Sequence, residues 1–217
     1  MRITFLGHAA FLIETSQKRI ITDPYSPEIG YRAIAERADF VTLSHHNPKW
    51  HSCLDDISGD FEPIWGLEIL ENGARRGEIS FGAVEVFEKE PNQGPNAMIW
   101  LESEGLRVFH TGDCGILPSE ETLQRCGCVD VLLALAGGPP TLKLDDLMSL
   151  IEKLAPKIVI PMHFGVPGLA MGALPVAELE KRFNEARIVR HDGSSLEVFA
   201  GNLPAKTELH VLQPSRL

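Results

Sequence analysis

Six of the chain's eight histidines, together with Asp23 and Asp113, stand just beyond apolar runs that read as β-strands. The run 3–6 leads into Gly7-His8, 19–22 into Asp23-Pro24-Tyr25, and 40–43 into Ser44-His45-His46, with His51 later in the same loop. The run 106–109 leads into His110-Thr111-Gly112-Asp113, and 157–161 leads into Met162-His163. Imidazoles and carboxylates are the ligand types of zinc, iron and manganese sites. Loops at one edge of a layered sheet can converge in space. Each residue alone has a plainer reading: His8 as a hydrogen-bonded turn residue, Asp23 as a turn former before proline, His110 as a satisfied core histidine. His191 and His210 match no pattern and read as surface. A metal-type site is indicated by the set: Asp113 after a glycine, His163 after another strand, and three histidines within residues 45–51.

The elements that must hold these residues follow from patterning. Residues 3–6, 10–14 and 19–22 are short β-type runs with small or polar turns between them. A helix is expected at 31–38, ahead of the strand 40–43. Residues 78–81 and 84–87 read as a hairpin around Gly82-Ala83, and 97–101 with 106–109 as a second hairpin around 102–105. Farther on, strands at 129–135, 157–161 and 188–190 alternate with helices near 119–126, 143–155 and 175–186. The helix at 143–155 gathers Leu144, Leu147, Met148, Ile151 and Leu154 on one face, and Pro156 stops it. Pro175 stands where a first-turn proline is tolerated, ahead of Val176, Leu179 and Phe183. Hairpins followed by β-α-β alternation describe a mixed-sheet, layered α/β architecture. A length of 217 residues without repeat or linker predicts a single domain, 1–217.

Composition narrows the partners. The formal net charge is −10, from 30 acidic against 20 basic residues, and the basic residues form no long run. That balance repels phosphate backbones and anionic membrane surfaces, so a small-molecule substrate is expected, with no nucleic acid and no membrane. No apolar stretch approaches the roughly 20 residues of a membrane span. The strand-like run from residue 3 leaves no room for a signal peptide, which predicts a cytoplasmic protein with its four cysteines reduced. Cys126-Gly127-Cys128 does not match zinc-knuckle spacing, and the cysteines receive no role.

In order along the chain, Leu6-Gly7-His8-Ala9-Ala10-Phe11, Thr22-Asp23-Pro24-Tyr25, Leu43-Ser44-His45, Gly94-Pro95-Asn96, His110-Thr111-Gly112-Asp113, Ala136-Gly137-Gly138 with Thr141, and Ile160-Pro161-Met162-His163 resemble the metallo-β-lactamase-fold hydrolase superfamily. The branch they resemble most is that of ascorbate-6-phosphate lactonase-type proteins. The resemblance implies a four-layer αββα sandwich with its site at the edge between two sheets. The family's central motif, His-x-His-x-Asp-His, is damaged here. His45 fits the first position, but Asn47 stands at the second histidine and Lys49 at the aspartate. Trp50 falls at the last histidine, unless one inserted residue lets His51 take that place. The next family histidine is replaced by the stretch Glu88, Lys89, Glu90.

The retained ligand set implied by the resemblance is His45, Asp113, His163 and either His46 or His51. A two-metal site needs more protein ligands than this, whereas three or four suffice for one catalytic zinc. Lys49 at a ligand position would also place an ammonium beside a second cation. The expectation is therefore one divalent metal (zinc before manganese or iron) or none. With one metal at His45, His51, Asp113 and His163, the implied activity is hydrolysis of a small ester, lactone or phosphoester. Asp113 would act as ligand or base, and His110 or His8 would orient substrate or a ligand. With no metal, the chain would be a catalytically degenerate relative that binds a small molecule or partner. An indole gains more by packing than by facing a polar site, so His51 rather than Trp50 is expected to point toward Asp113.

Overall fold

The computed structural model describes residues 1–88, 94–169 and 172–217. Strands β1 (Arg2–Gly7), β2 (Ala10–Glu14), β3 (Arg19–Thr22), β4 (Phe40–Leu43) and β5 (Glu62–Trp65) follow one another in the first sheet. The second sheet begins with β6 (Ala74–Arg76), β7 (Ile79–Phe87), β8 (Pro95–Ser103) and β9 (Leu106–His110). Helix α1 (Glu120–Cys126), β10 (Val131–Leu135), α2 (Leu144–Leu154), β11 (Ile158–Met162), α3 (Ala177–Glu180), β12 (Ile188–Arg190), β13 (Ser195–Glu197) and β14 (Glu208–Val211) complete the order. The first sheet runs β13-β1-β2-β3-β4-β5 and the second runs β12-β14-β11-β10-β9-β8-β7-β6. Together they form two sheets with few helices, in keeping with the layered α/β architecture expected from the sequence.

The direction of the strands explains why the histidines meet. β1, β2 and β3 pair antiparallel in turn, so β1 and β3 point the same way, and β4 and β5 continue parallel to β3. β9, β10 and β11 are likewise mutually parallel. His8, Asp23 and Ser44 thus leave one edge of the first sheet, and Thr111 to Asp113 and His163 leave one edge of the second. β10 and β11 read Val-Leu-Leu-Ala-Leu and Ile-Val-Ile-Pro-Met and are buried at every position. Such unbroken apolar runs are typical of parallel strands covered on both faces. Helix α2 buries Leu144, Leu147, Leu150, Ile151 and Leu154 in the same core. Asp145 and Asp146 in its first turn and Lys153 in its last complement the helix dipole.

Several elements depart from the sequence reading. The expected hairpin around Gly82-Ala83 is instead one continuous strand, β7, which pairs with β8 from Ser80↔Glu102 to Phe87↔Pro95. Gly82 is a packing glycine there: an added Cβ would overlap the Trp100 indole of the neighbouring strand. Residues 31–38 are irregular rather than helical, yet they bury Tyr31, Ile34 and Ala38. The helix expected at 175–186 shortens to α3. β5, β6, β13 and β14 were not anticipated. Lys89 and Glu90, from the stretch replacing the next family histidine, lie outside the described residues. No helix among the described residues is long and apolar enough to cross a membrane.

Candidate metal centre

Asp23 is the anchor of the site. It follows β3, is 1% exposed, and holds φ at 34°, a left-handed backbone uncommon for a residue with a side chain. Its Oδ1 accepts the Ser44 N–H at 2.8 Å, and its Oδ2 accepts the Ser44 hydroxyl at 2.5 Å and His51 Nδ1 at 3.1 Å. Burial pushes its pKa up, but His110, His51 and the Ser44 hydroxyl outweigh burial and hold the carboxyl below its usual range. Asp23 therefore stays ionised.

The loop after β4 closes on itself. The Asn47 carbonyl accepts the N–H groups of Trp50, His51 and Ser52, and Ser52 Oγ accepts the Asn47 N–H at 2.9 Å. This tight turn swings His51 inward to full burial, with Nε2 2.9 Å from Asp113 Oδ2. His46 stays exposed beside Trp65, and Trp50 lies against the His8 ring. Lys49, expected near a second cation, is exposed and directs its ammonium over the Trp50 ring at 5.6 Å. A lone ammonium keeps its hydration there, whereas His51, already bonded to Asp23, takes the interior place.

Asp113 reaches the site through a turn that only glycine allows. Gly112 has φ 56°, and a Cβ on it would overlap the Ala97 carbonyl oxygen and Asn96 Oδ1. Asn96 on β8 then accepts the Asp113 N–H at 3.2 Å and places its amide nitrogen 3.0 Å from His45 Nδ1. Ser44 Oγ also lies 3.0 Å from His45 Nδ1. The Asn96 amide can only donate to Nδ1, whereas the Ser44 hydroxyl, its proton given to Asp23, can only accept from it; the Ser44 bond is the one that leaves the lone pair of Nε2 free. His110 is 3% exposed, donates from Nε2 to the Ala9 carbonyl at 2.8 Å and accepts the Gly112 N–H on Nδ1 at 3.0 Å. Expected to orient substrate or a ligand, it has no nitrogen left for substrate, and it ties the turn after β1 to the Asp113 loop.

His8 and His163 close the cluster. Both have positive φ, 52° and 55°, and His163 donates its N–H to the His8 carbonyl at 2.7 Å. With Asp23, they make three of the five non-glycine residues in the left-handed region, among the described residues, site residues. Such strain persists where surroundings over-determine it, commonly at functional sites. The His8 ring lies 4.3 Å from that of His163 and 5.0 Å from that of His51, centroid to centroid. His163 Nε2 is 3.5 Å from Asp113 Oδ1.

The donor set fits a metal ion. Buried atoms without a hydrogen-bond partner include both nitrogens of His8, Nε2 of His45, Nε2 of His51, Oδ1 of Asp113 and Nδ1 of His163. The approach of His51 Nε2 to Asp113 is an ion-pair distance without the alignment of a hydrogen bond. Among the described residues, one ligand atom each from His8, His51 and His163 lie within 4.8 Å of one another, and so do those of His45, His51 and Asp113. Burial, reinforced by the neighbouring imidazoles, lowers the pKa of His8 and His45, and burial lowers that of His163. They are therefore neutral, the form that ligates. His51 differs: burial opposes its charge, but Asp113 and Asp23 outweigh burial and push it up to about 10. The same contacts hold Asp113 far below the carboxylate range against the pull of burial. Sequence reasoning quoted Ser44 and Asn96 within motifs but gave them no role. Their signal, a polar residue next to a ligand, becomes legible only through contacts across the sheets.

Comparison with known proteins places this geometry in a family. Residues 2–163 match the model of the beta-lactamase superfamily domain. A UPF0173 metal-dependent hydrolase of Carboxydothermus hydrogenoformans is 29% identical over 191 residues, 76% of this chain and 84% of that protein. A UPF0173 protein of Pyrococcus abyssi is 29% identical over 197 residues, 84% of this chain and 92% of its own. Among solved structures, a candidate Zn-dependent hydrolase of the metallo-β-lactamase superfamily from Thermotoga maritima aligns with TM-score 0.81 and 30% identity over 97% of both chains. These relatives are UPF0173 and metallo-β-lactamase proteins, and they do not single out the ascorbate-6-phosphate lactonase-type branch. With the family match spanning most of its length and the same two-sheet core, the chain belongs to the metallo-β-lactamase superfamily.

Proposed function

We propose that this chain is a metal-dependent hydrolase that uses one divalent ion, zinc before manganese or iron, held by His45, His51, Asp113 and His163. The carrying observation is the convergence of buried, unpartnered nitrogens and Asp113 Oδ1 on one spot. Both candidate ligand groups share His51, whose Nδ1 is committed to Asp23, so only Nε2 can ligate, on releasing the proton that Asp113 favours there in the metal-free chain, and one ion follows. When bound, the ion supplies Lewis acidity, which lowers the pKa of a water and polarises the scissile group. The rest is done by the chain. Asp23 fixes the His51 ring and Asn96 fixes the Asp113 backbone, so the ligand atoms are held in place by the chain itself.

The substrate is a small ester, lactone or phosphoester in a cytoplasmic setting, and the net charge of −10 argues against nucleic acid or an anionic membrane. The relatives described as metal-dependent hydrolases support the same reaction class. A second reading has its own observation: His51 lies between Asp23 and Asp113 and bridges both carboxylates without an ion. That arrangement would suit a degenerate binding protein. The test is zinc content of protein purified without chelator, with turnover of an ester, lactone and phosphoester panel. One zinc per chain is expected, and Asp113→Ala and His163→Ala should each lose both metal and hydrolysis. Wild type that takes up no zinc and stays inactive after zinc loading would leave the degenerate reading standing.

A further inference from the structure

We propose that His8 is itself a ligand of this ion, acting with His51 and His163, and so compensates for the positions where Asn47, Lys49 and Trp50 interrupt the family motif. This rests on the one-ion reading above. His8 is 1% exposed, and neither ring nitrogen has a hydrogen-bond partner. A neutral imidazole carries one donor and one acceptor, and burying both unmet is costly unless something binds there. His110 shows the ordinary solution in the same site, with both nitrogens bonded to backbone. The His8 backbone is held in a left-handed conformation after Gly7, where an added Cβ would overlap the Tyr31 ring. Its carbonyl is pinned by His163 N–H. Its ligand atom lies within 4.8 Å of those of His51 and His163. The Trp50 ring, 5.2 Å from the His8 ring, walls that side of the cluster. An indole at the motif's last histidine position thus shields the new ligand. A set dominated by imidazole nitrogen selects zinc or a similar borderline ion over magnesium or calcium, which require oxygen.

The experiment titrates zinc into chelator-treated, ¹⁵N-labelled full-length protein and follows ring nitrogens by long-range ¹H–¹⁵N correlation. The His8 signals are assigned by their loss in His8→Gln. One equivalent of zinc should move one His8 ring nitrogen to the metal-bound position, and magnesium should not. In competition with a chromophoric chelator, His8→Gln should bind zinc about 100-fold more weakly. His46→Gln, an exposed neighbour outside the cluster, should bind as wild type. Circular dichroism and unfolding of the metal-free proteins check that His8→Gln keeps the fold. If wild type saturates with zinc while His8 stays unshifted and His8→Gln binds equally well, this proposal falls and the one-ion reading stands. If wild type takes up no zinc, both fall.

Discussion

At the scale of single residues, Lys49 and His51 divide the explanations of the damaged motif. A lysine at a ligand position suggests an ammonium in place of a cation, paired with Asp113. The structure gives that interior place to His51, and Lys49 stands outside over Trp50. Lys49→Ala should therefore cost no more than about 1 kcal/mol, the value of an exposed cation–π contact. Unfolding of wild type and variant in chelator measures this, and a loss of several kcal/mol would mean that Lys49 balances a buried carboxylate after all. The inward turn of His51 was legible from the contrast between an indole and an imidazole. The work of Asn96 was not: its partners His45 and Asp113 lie 51 and 17 residues away, and no local pattern encodes those contacts.

Elements deliver these residues through turns as much as through strands. Gly112 is the sharpest case, since it needs both a positive φ and bare backbone against Ala97 and Asn96. Gly112→Ala should cost on the order of 3 kcal/mol, combining backbone strain with overpacking. It should also weaken zinc binding, because Asp113 and Asn96 would shift together. Chemical denaturation and a zinc competition assay check both, and an alanine variant as stable as wild type would remove Gly112 from this role. Strong local periodicity made α2, β10 and β11 readable, and apolar runs closed by Gly7-His8 or Asp23-Pro24 made β1 and β3 readable. Gly82-Ala83 misled because glycine in a strand can mark close packing as well as a turn, and only the Trp100 indole on the partner strand distinguishes them. β13 and β14 were missed because they are short and lean on distant strands, as in Ile3↔Leu196 and Val159↔Leu209.

The molecule as a whole is two sheets fastened at one edge, and the candidate centre sits at the fastening. Asp23, His45 and His51 extend from the first sheet, with His8 beside them, while Asn96, Asp113 and His163 come from the second. Backbone bonds already cross there: Ala97 N–H to the Ser44 carbonyl at 3.0 Å and His163 N–H to the His8 carbonyl at 2.7 Å. An ion ligated from both sides would add a cross-link present in the folded chain and absent in the unfolded one. At free zinc about 100 times its dissociation constant, such binding contributes ~2.7 kcal/mol. For a chain of this size that corresponds to a rise in Tm of about 5–10 °C. Asp113→Ala removes a ligand from the second sheet, so its Tm should no longer respond to zinc. Thermal unfolding of both proteins, in chelator and in excess zinc, makes the comparison. An equal zinc response in wild type and Asp113→Ala would place the ion elsewhere, and no response in either would mean that hydrogen bonds and His51 alone fasten the sheets.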